Sequence, residues 1–415
     1  MKFLIVSKEA DTLALAIRLQ DEGNEVEFYC AHPKRKHVGK GLVKLVDNFQ
    51  KHLERDKIIV FDMSGYGKIA DKLKKAGYPV FGGSSVADRM ELDRYFFSQL
   101  LKTAGVHIPR TYKFTSFKEA IKFVENTKQR YVFKPHQNMN TALTYVSTNY
   151  EEMIYFLEHE SRQIHRKIEF ELQLYIEGIE VDCEVWFNKG EPVEPFNITF
   201  ERKKELTGDL GRNTGSQINI VKVIPGEFPL YRQTLKKLIP FLKEVEYTGP
   251  LDVNFIVSGG TPYGLEASPR LGYDAFWCLT ELLKQDVGKL ISDCALGQLK
   301  RIDLDIDSFA GGVRCSVPKE PYIPHRLIQN IKNFKHIHLY DAMIDKWGSL
   351  VCADTDFIIA CVTSKGPTIQ ETSRRVYYLL QEKLKNFNIS DLEYRTDLGV
   401  QAKAYYTKLK NWGLI

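Results

Sequence analysis

The chain has 415 residues, 43% hydrophobic and 27% charged, an ordinary balance for a globular protein of roughly two or three domains. Its net charge of +5 is thin over such a length and argues against, without excluding, a nucleic-acid partner. Seven scattered cysteines with no CxxC pair fit reduced thiols in the cytoplasm, and no apolar run approaches the ~18 residues of a membrane-spanning helix.

Residues 3–6 (FLIV) suit a buried parallel strand rather than a secretion signal. A helix over Thr12–Glu22, a strand over Glu25–Cys30, a strand over Lys57–Phe61, a helix over Lys68–Ala76 and a short strand over Pro79–Phe81 follow. This alternation predicts an open α/β unit over residues 1–85. The Gly-Gly-Ser-Ser break at 82–85 precedes a helix predicted from Val86 to Gly105, on which Arg94 by itself reads as a solvated charge. Thr111–Phe114 is extended, Ser116–Thr127 helical and Arg130–Lys134 a strand. Lys134, at a strand end facing a polar, glycine-free loop (His136–Thr144), has the reach to meet a phosphate.

Glu151–Glu160 reads as a helix, and Phe170–Ile176, Val181–Phe187 and Val193–Phe200 as strands. Lys203–Gln217 is polar and glycine-punctuated, the composition of a long functional loop. A helix over Pro229–Val245 leads into GPLDVNFIVSGGTPYGLEASPRLGYDAF at 249–276. Here Leu251–Val257 and Tyr263–Glu266 form a hairpin about a Gly-Gly-Thr-Pro turn, followed by a helix over Ala275–Ile291. Asp252 and Asn254 share one strand face, and the returning strand brings Glu266 beside them. Converging oxygens of this kind suit Mg²⁺, and Arg270 suits a phosphate or a developing oxyanion. On its own, such a hairpin also suits a merely solvated polar face. From Asp303, short strands (Gly312–Val317, Ile337–Leu339, Phe357–Val362), an amphipathic helix over Thr368–Leu384 and a basic, aromatic tail define a third region.

Six segments, in order, resemble the ATP-grasp ligases, and most closely the glycinamide ribonucleotide synthetase (phosphoribosylamine–glycine ligase) family. They are PVFGGSSVADRMELDRYFFSQLLKTAGVHIP, RYVFKP, LQLYIEGIEVDCEVWF, GDLGRNTG, GLEASPRLGYDAF, and TDFIIACVTSKGPTIQETSRRVYYLL with YRTDLG. The resemblance implies an α/β chain with an ATP-grasp fold. It would comprise an N-terminal open α/β (pre-ATP-grasp) domain at 1–85, an ATP-grasp region at 86–302 with a mobile lid at about 112–185, and a small α+β C-terminal domain at 303–415.

Carried over position by position, it implies that Arg94 and Lys134 contact nucleotide phosphates. Gln173, Leu174, Tyr175 and Ile176 would offer backbone groups to adenine, and Glu180 would hold the ribose hydroxyls. Glu266 would bind Mg²⁺, with Mn²⁺ as a substitute, together with Asp252 or Asn254; Ser268 stands where the family often has asparagine. Arg270 would stabilise the phosphoryl group in flight. Asn213, Thr214 and Gly215 would line the substrate side.

The implied activity is an ATP- and Mg²⁺-dependent, cytoplasmic carboxylate–amine ligase working through an acyl phosphate, as a monomer or homodimer. Its substrates would be a small carboxylate, glycine among the candidates, and an amine. The substrate side departs from the family. Ser7–Asp11 replaces a glycine-rich phosphate loop with acidic residues, and Ser216-Gln217 follows Asn213-Thr214-Gly215 where a glycine-methionine-glycine run is usual. These departures keep two alternatives open: a ligase joining an amino acid to another amine, such as a modified nucleotide or base, and a nucleotide-binding protein without turnover.

Overall fold

The computed structural model describes residues 1–135, 144–164, 168–320, 322–328, 335–387 and 391–415, with side chains 383–387 left aside. Strands β1 (Lys2–Ser7), β2 (Glu25–Cys30), β3 (Lys44–Leu45), β4 (Lys57–Phe61) and β5 (Val80–Phe81) form a parallel sheet in the order β3-β2-β1-β4-β5. Phe3 to Val6 are wholly buried, as a strand covered on both faces requires. Helices α1 (Leu13–Asp21) and α2 (Gly67–Lys75) flank it. Gly82 turns the chain out of the sheet at φ 71°, where a Cβ would lie 2.3 Å from the Phe61 carbonyl oxygen.

The single helix expected over 86–105 is two. In α3 (Ser85–Leu92), the Ser84 hydroxyl accepts from the Ala87 N–H. The chain then leaves helical geometry at Asp93 (φ −106°, ψ 85°), whose carboxylate caps α4 (Arg94–Thr103) by accepting from the Phe96 N–H. The break sets Glu91 and Arg94 at the rim of one cleft.

Strands β6 (Thr111–Phe114), β7 (Tyr131–Pro135), β8 (Tyr145–Val146) and β9 (Phe170–Leu174) form an antiparallel sheet in the order β6-β9-β7-β8, crossed by α5 (Phe117–Thr127) and α6 (Tyr150–Gln163). Its core, including Tyr131, Phe133, Leu157, Phe170 and Leu172, is separate from the main one. Residues 136–143 of the glycine-free loop lie outside the described residues.

The largest sheet takes in β10 (Ile179–Asn188), β11 (Glu191–Leu206), β12 (Leu210–Ile224), β13 (Gly249–Ser258), β14 (Thr261–Ser268), β15 (Phe309–Ser316) and β16 (Ile337–Leu339). A small hairpin of β17 (Ala342–Ile344) and β18 (Leu350–Cys352) follows, then β19 (Ile358–Gly366) and β20 (Glu393–Tyr394), which complete nine antiparallel strands. Residues on either side of 303–308 therefore share one sheet. The long loop expected over 203–217 is instead the distal part of the β11–β12 hairpin, paired at Lys204–Asn213 and Leu206–Leu210. The turn is pinned by buried Arg395, which donates to the Lys204 carbonyl and to Asp209.

Two other expected helices are also divided. Residues 229–245 hold α7 (Pro229–Gln233), a 3-10 turn and α8 (Ile239–Glu244), broken at Thr234 (ψ −97°). Residues 273–295 hold α9 (Tyr273–Leu282) and α10 (Val287–Ala295), parted where Asp286 is extended. Helices α11 (Ile369–Phe387) and α12 (Val400–Asn411) complete the chain.

Candidate functional site

The hairpin β13–β14 brings four of the predicted residues together. Asp252 pairs with Ser268 and Asn254 with Glu266, so all four side chains fall on one sheet face. A bulge after Asn254, with Leu265 as the extra residue, preserves that register. On the other side β10 sets Glu184 opposite Asp252 and Asp182 opposite Asn254. This face forms one wall of a cavity of about 730 Å³. Arg94, Thr214, Gly215, Asp252, Asn254, Glu266, Ser268 and Arg270 all line it.

The charges in the cavity are paired in layers. Burial, followed by Glu184 and Glu201, pushes the Asp252 carboxyl well above its ordinary range, and burial and Asp252 do the same to Asp182. The Asn254 amide donates to Asp182. One oxygen of Asp252, Oδ1, is buried and has no hydrogen-bond partner among the described residues. Glu266 behaves oppositely. Burial would raise its carboxyl, but the cations Lys203, Lys134 and Arg94 hold it down at about 2.

Arg270 is held in place by Glu91, which accepts from its Nε at 3.0 Å and forms an ion pair with its Nη2 at 3.0 Å, and its guanidinium lies 4.6 Å from the Tyr273 ring centre. Arg94, in the first turn of α4, has a buried Nη1 with no hydrogen-bond partner among the described residues. Asp252 Oδ1 and Arg94 Nη1 are thus an acceptor and a donor, unpartnered among the described residues, on two residues that line one cavity, and each such group costs free energy until something meets it.

The other predicted residues flank the cavity and are not among its described lining. Lys134 is on β7, where burial lowers its ammonium to about 8 against the pull of Glu266. Its neighbour Pro135 does line the cavity. Gln173 and Leu174 end β9, and Tyr175 and Ile176 lie just beyond it. The Leu174 and Tyr175 N–H groups already donate to the Arg110 and Arg130 carbonyls. The Tyr175 ring lies under the Arg130 guanidinium at 3.5 Å. Glu180 opens β10 and faces Lys203 at 3.4 Å. Asn213 is exposed, paired with Lys204 in the hairpin.

Four residues of the site escaped the sequence reading: Asp182, Glu201, Lys203 and Glu91. Lys203 is central, with its ammonium 3.4 Å from Glu180, 3.4 Å from Glu201 and 3.7 Å from Glu266. The signal was there: Glu180, Asp182 and Glu184 alternate on one strand, and Glu201 and Lys203 on the next, so each set shares a face. The pattern was hidden because 203–217 reads as a loop.

Among the described residues, no three acidic, histidine or cysteine side chains cluster tightly enough to hold a metal unaided. Mg²⁺ is commonly held by one or two carboxylates and completed by phosphates and water, which Asp252 and Glu266 with hard oxygen donors fit. Among the described residues, no helix is long and apolar enough to cross a membrane.

No protein-family description matches the chain. It is 26% identical over 330 residues to the phosphoribosylamine–glycine ligase of Helicobacter pylori, covering 72% of this chain and 73% of that one. A phosphoribosylamine–glycine ligase of Methanosarcina barkeri aligns over 97% of both chains at 23% identity. The crystal structure of phosphoribosylamine–glycine ligase from Thermotoga maritima superposes with a TM-score of 0.72 at 20% identity, covering 96% of this chain and all of that one.

Proposed function

Starting from a chain that is a divergent ATP-grasp protein of the phosphoribosylamine–glycine ligase type, we propose that it is an ATP-dependent carboxylate–amine ligase whose reaction takes place in the 730 Å³ cavity. The observation that carries this reading is the pair of groups without partners among the described residues, Asp252 Oδ1 and Arg94 Nη1, on residues that line the cavity with Glu266 and Arg270. A divalent cation and a polyphosphate would satisfy both together.

A carboxylate is a poor electrophile. Its oxygen attacks the γ-phosphorus of ATP, ADP leaves, and an acyl phosphate results. The amine nitrogen then attacks the acyl carbon, inorganic phosphate leaves, and the nitrogen gives up a proton. Asp252 and Glu266 would hold Mg²⁺, which when bound would neutralise charge at the phosphates. Arg270 is fixed by Glu91 before any substrate arrives, so it offers positive charge without reorganisation. Arg94 enters from α4 and Lys134 from the four-stranded unit, so that unit acts as a lid bringing its lysine to the opposite wall. The acyl phosphate hydrolyses in water, which is the reason a lid is needed. The end of β9 would receive the adenine, and Thr214 and Gly215 border the carboxylate.

A specific observation favours an amine other than a phosphorylated one. Ligands bind open parallel sheets where the strand order reverses, here between β1 and β4. At that point Ser7 Oγ, the Lys8 N–H (3.2 Å) and Thr12 Oγ1 (2.9 Å) all donate to buried Asp62. Arg35 is engaged by Asp356 at 3.0 Å and Asp11 at 3.5 Å. The donors a phosphate needs are thus already taken by carboxylates.

The test is ADP release with Mg²⁺ and ATP, offering glycine and then other amino acids. Each is paired with phosphoribosylamine or with a pool of unphosphorylated and nucleotide amines, and products are read by mass. Release that depends on both a carboxylate and an amine supports the ligase. ATP binding without release under every pairing points to a protein that holds nucleotide without turnover.

A further inference from the structure

We propose that Lys203 is a resident counter-ion of the carboxylate wall, standing in for a divalent cation until one binds and then turning toward the anion in the cavity. This rests on the ligase reading of the same site. Its ammonium is shared among Glu180, Glu201 and Glu266 at 3.4, 3.4 and 3.7 Å. A seated charge-assisted hydrogen bond runs at about 2.7–2.9 Å. Elsewhere in this chain such bonds form readily: Lys57 meets Glu27 at 2.7 Å. Lys203 is therefore held by the summed field of several acids, with one long hydrogen bond to Glu180 at 3.4 Å, and is not seated tightly on any single one.

The wall explains why a cation is needed there. Asp182, Glu201, Asp252 and Glu266 all face one cavity, and Glu180 borders it. Without compensation these carboxylates would repel one another. The stem of Lys203 rises from β11 beside Thr214, whose hydroxyl donates to the Lys203 carbonyl at 2.7 Å. The backbone is thus pinned while the long side chain keeps its freedom. A divalent ion on Glu266 and Asp252 makes the ammonium redundant and repels it. The same cavity, lined by Thr214 and Gly215, gives it somewhere to go. Metal without nucleotide must displace Lys203 at a cost, whereas metal arriving with a polyphosphate gives Lys203 a new anionic partner. The arrangement links metal loading to nucleotide loading.

The experiment is Mn²⁺ titration of the full chain without nucleotide, followed by electron paramagnetic resonance of free Mn²⁺. Lys203→Met is expected to bind Mn²⁺ on the order of tenfold more tightly than wild type, because a like charge at ~4 Å has gone. Lys203→Arg, which keeps the charge, is expected to match wild type. Added Mn²⁺ should raise the melting temperature of Lys203→Met more than that of wild type. A residue serving only to hold the fold would lower stability without tightening Mn²⁺ binding. Lys203→Gln repeats the test with a polar side chain should the methionine variant not fold. Equal or weaker Mn²⁺ affinity in the folded neutral variants overturns the proposal. Glu266→Gln separates this failure from that of the ligase reading. If it abolishes Mn²⁺ binding while Lys203 variants change nothing, only the counter-ion role falls; if it leaves Mn²⁺ binding intact, the metal site on Glu266 falls with it.

Discussion

Asp252 and Asn254 sit two residues apart on the same face, yet the structure gives them different work. The Asn254 side chain is committed to Asp182, while Asp252 Oδ1 is buried and open. Asp252→Ala should therefore lower turnover on the order of 100-fold or more, the scale of losing a metal-held charge at a phosphoryl group. Asn254→Ala should cost about 1–3 kcal/mol of stability through the abandoned Asp182, with turnover falling within about tenfold. Steady-state rates and thermal melts on both variants check this, and equal losses in turnover would remove the distinction. The alternation of apolar and polar residues in LDVNF made Asp252, Asn254 and Glu266 legible as a group, and Arg270 follows them closely in sequence. Lys203, Asp182 and Glu201 were not, because they join the group only through the pairing of β10 with β13, which brings Asp182 to Asn254 across 72 residues, and the pairing of β11 with β10, both of which depend on tertiary register.

At the scale of elements, the strands were more legible than the helix ends. Lys57–Phe61 falls where its apolar β-branched run places it, and Ile337–Leu339 also falls as expected. The helices over 86–105, 229–245 and 275–291 were each read too long. Their apolar periodicity runs on through the break, while a single extended or strained residue (Asp93, Thr234 or Asp286) ends the hydrogen-bond ladder. The first of these breaks is the one that aims Arg94 into the cavity. Gly178, between β9 and β10, has a comparable part at the other end of the site. A Cβ there would lie 2.5 Å from the Val257 carbonyl oxygen. Gly178→Ala should shift the segment after β9, weakening nucleotide binding severalfold and lowering stability by about 1–3 kcal/mol; nucleotide titration and melting curves read both.

In the parallel sheet, Glu27 accepts from Lys44 and Lys57 at 2.7 Å each and lies 3.1 Å from His52. Burial opposes its charge, but the two lysines outweigh it and hold the carboxyl at about 2, below its usual 4.5. A depressed carboxyl contributes stability that is present above about pH 4.5 and is lost as pH falls toward 2. Glu27→Gln should thus cost about 1 kcal/mol near neutrality, reduced by solvent screening, and flatten the fall in stability between pH 5 and about 2. Urea unfolding at several pH values measures it.

At the scale of the whole molecule, the described residues pack around three apolar clusters, one of them (Leu4, Val6, Phe49, Ile59, Phe61) on a single face of the parallel sheet. The parallel sheet and the nine-stranded sheet share one continuous core. The four-stranded unit keeps its own, with Tyr131, Phe133 and Phe170 among its buried aromatic residues. A body with a separate core can turn as a unit without breaking the packing of either part. That unit also carries Lys134, whose ammonium is drawn toward Glu266 on the opposite wall and pushed by Arg94 and Lys203. Lys134 thus has one attracting carboxylate and two repelling cations around it, and a polyphosphate in the cavity would add further attraction. Adding nucleotide with Mg²⁺ should therefore close the unit onto the large sheet. Small-angle scattering should report a smaller radius of gyration, and hydrogen exchange should slow at β7 and β9. Lys134→Met should retain the fold, because Lys134 forms no part of the unit's apolar core, and should lose most of the nucleotide-induced compaction. Unchanged scattering in wild type with saturating nucleotide would mean that the lysine reaches its phosphate from a lid already closed.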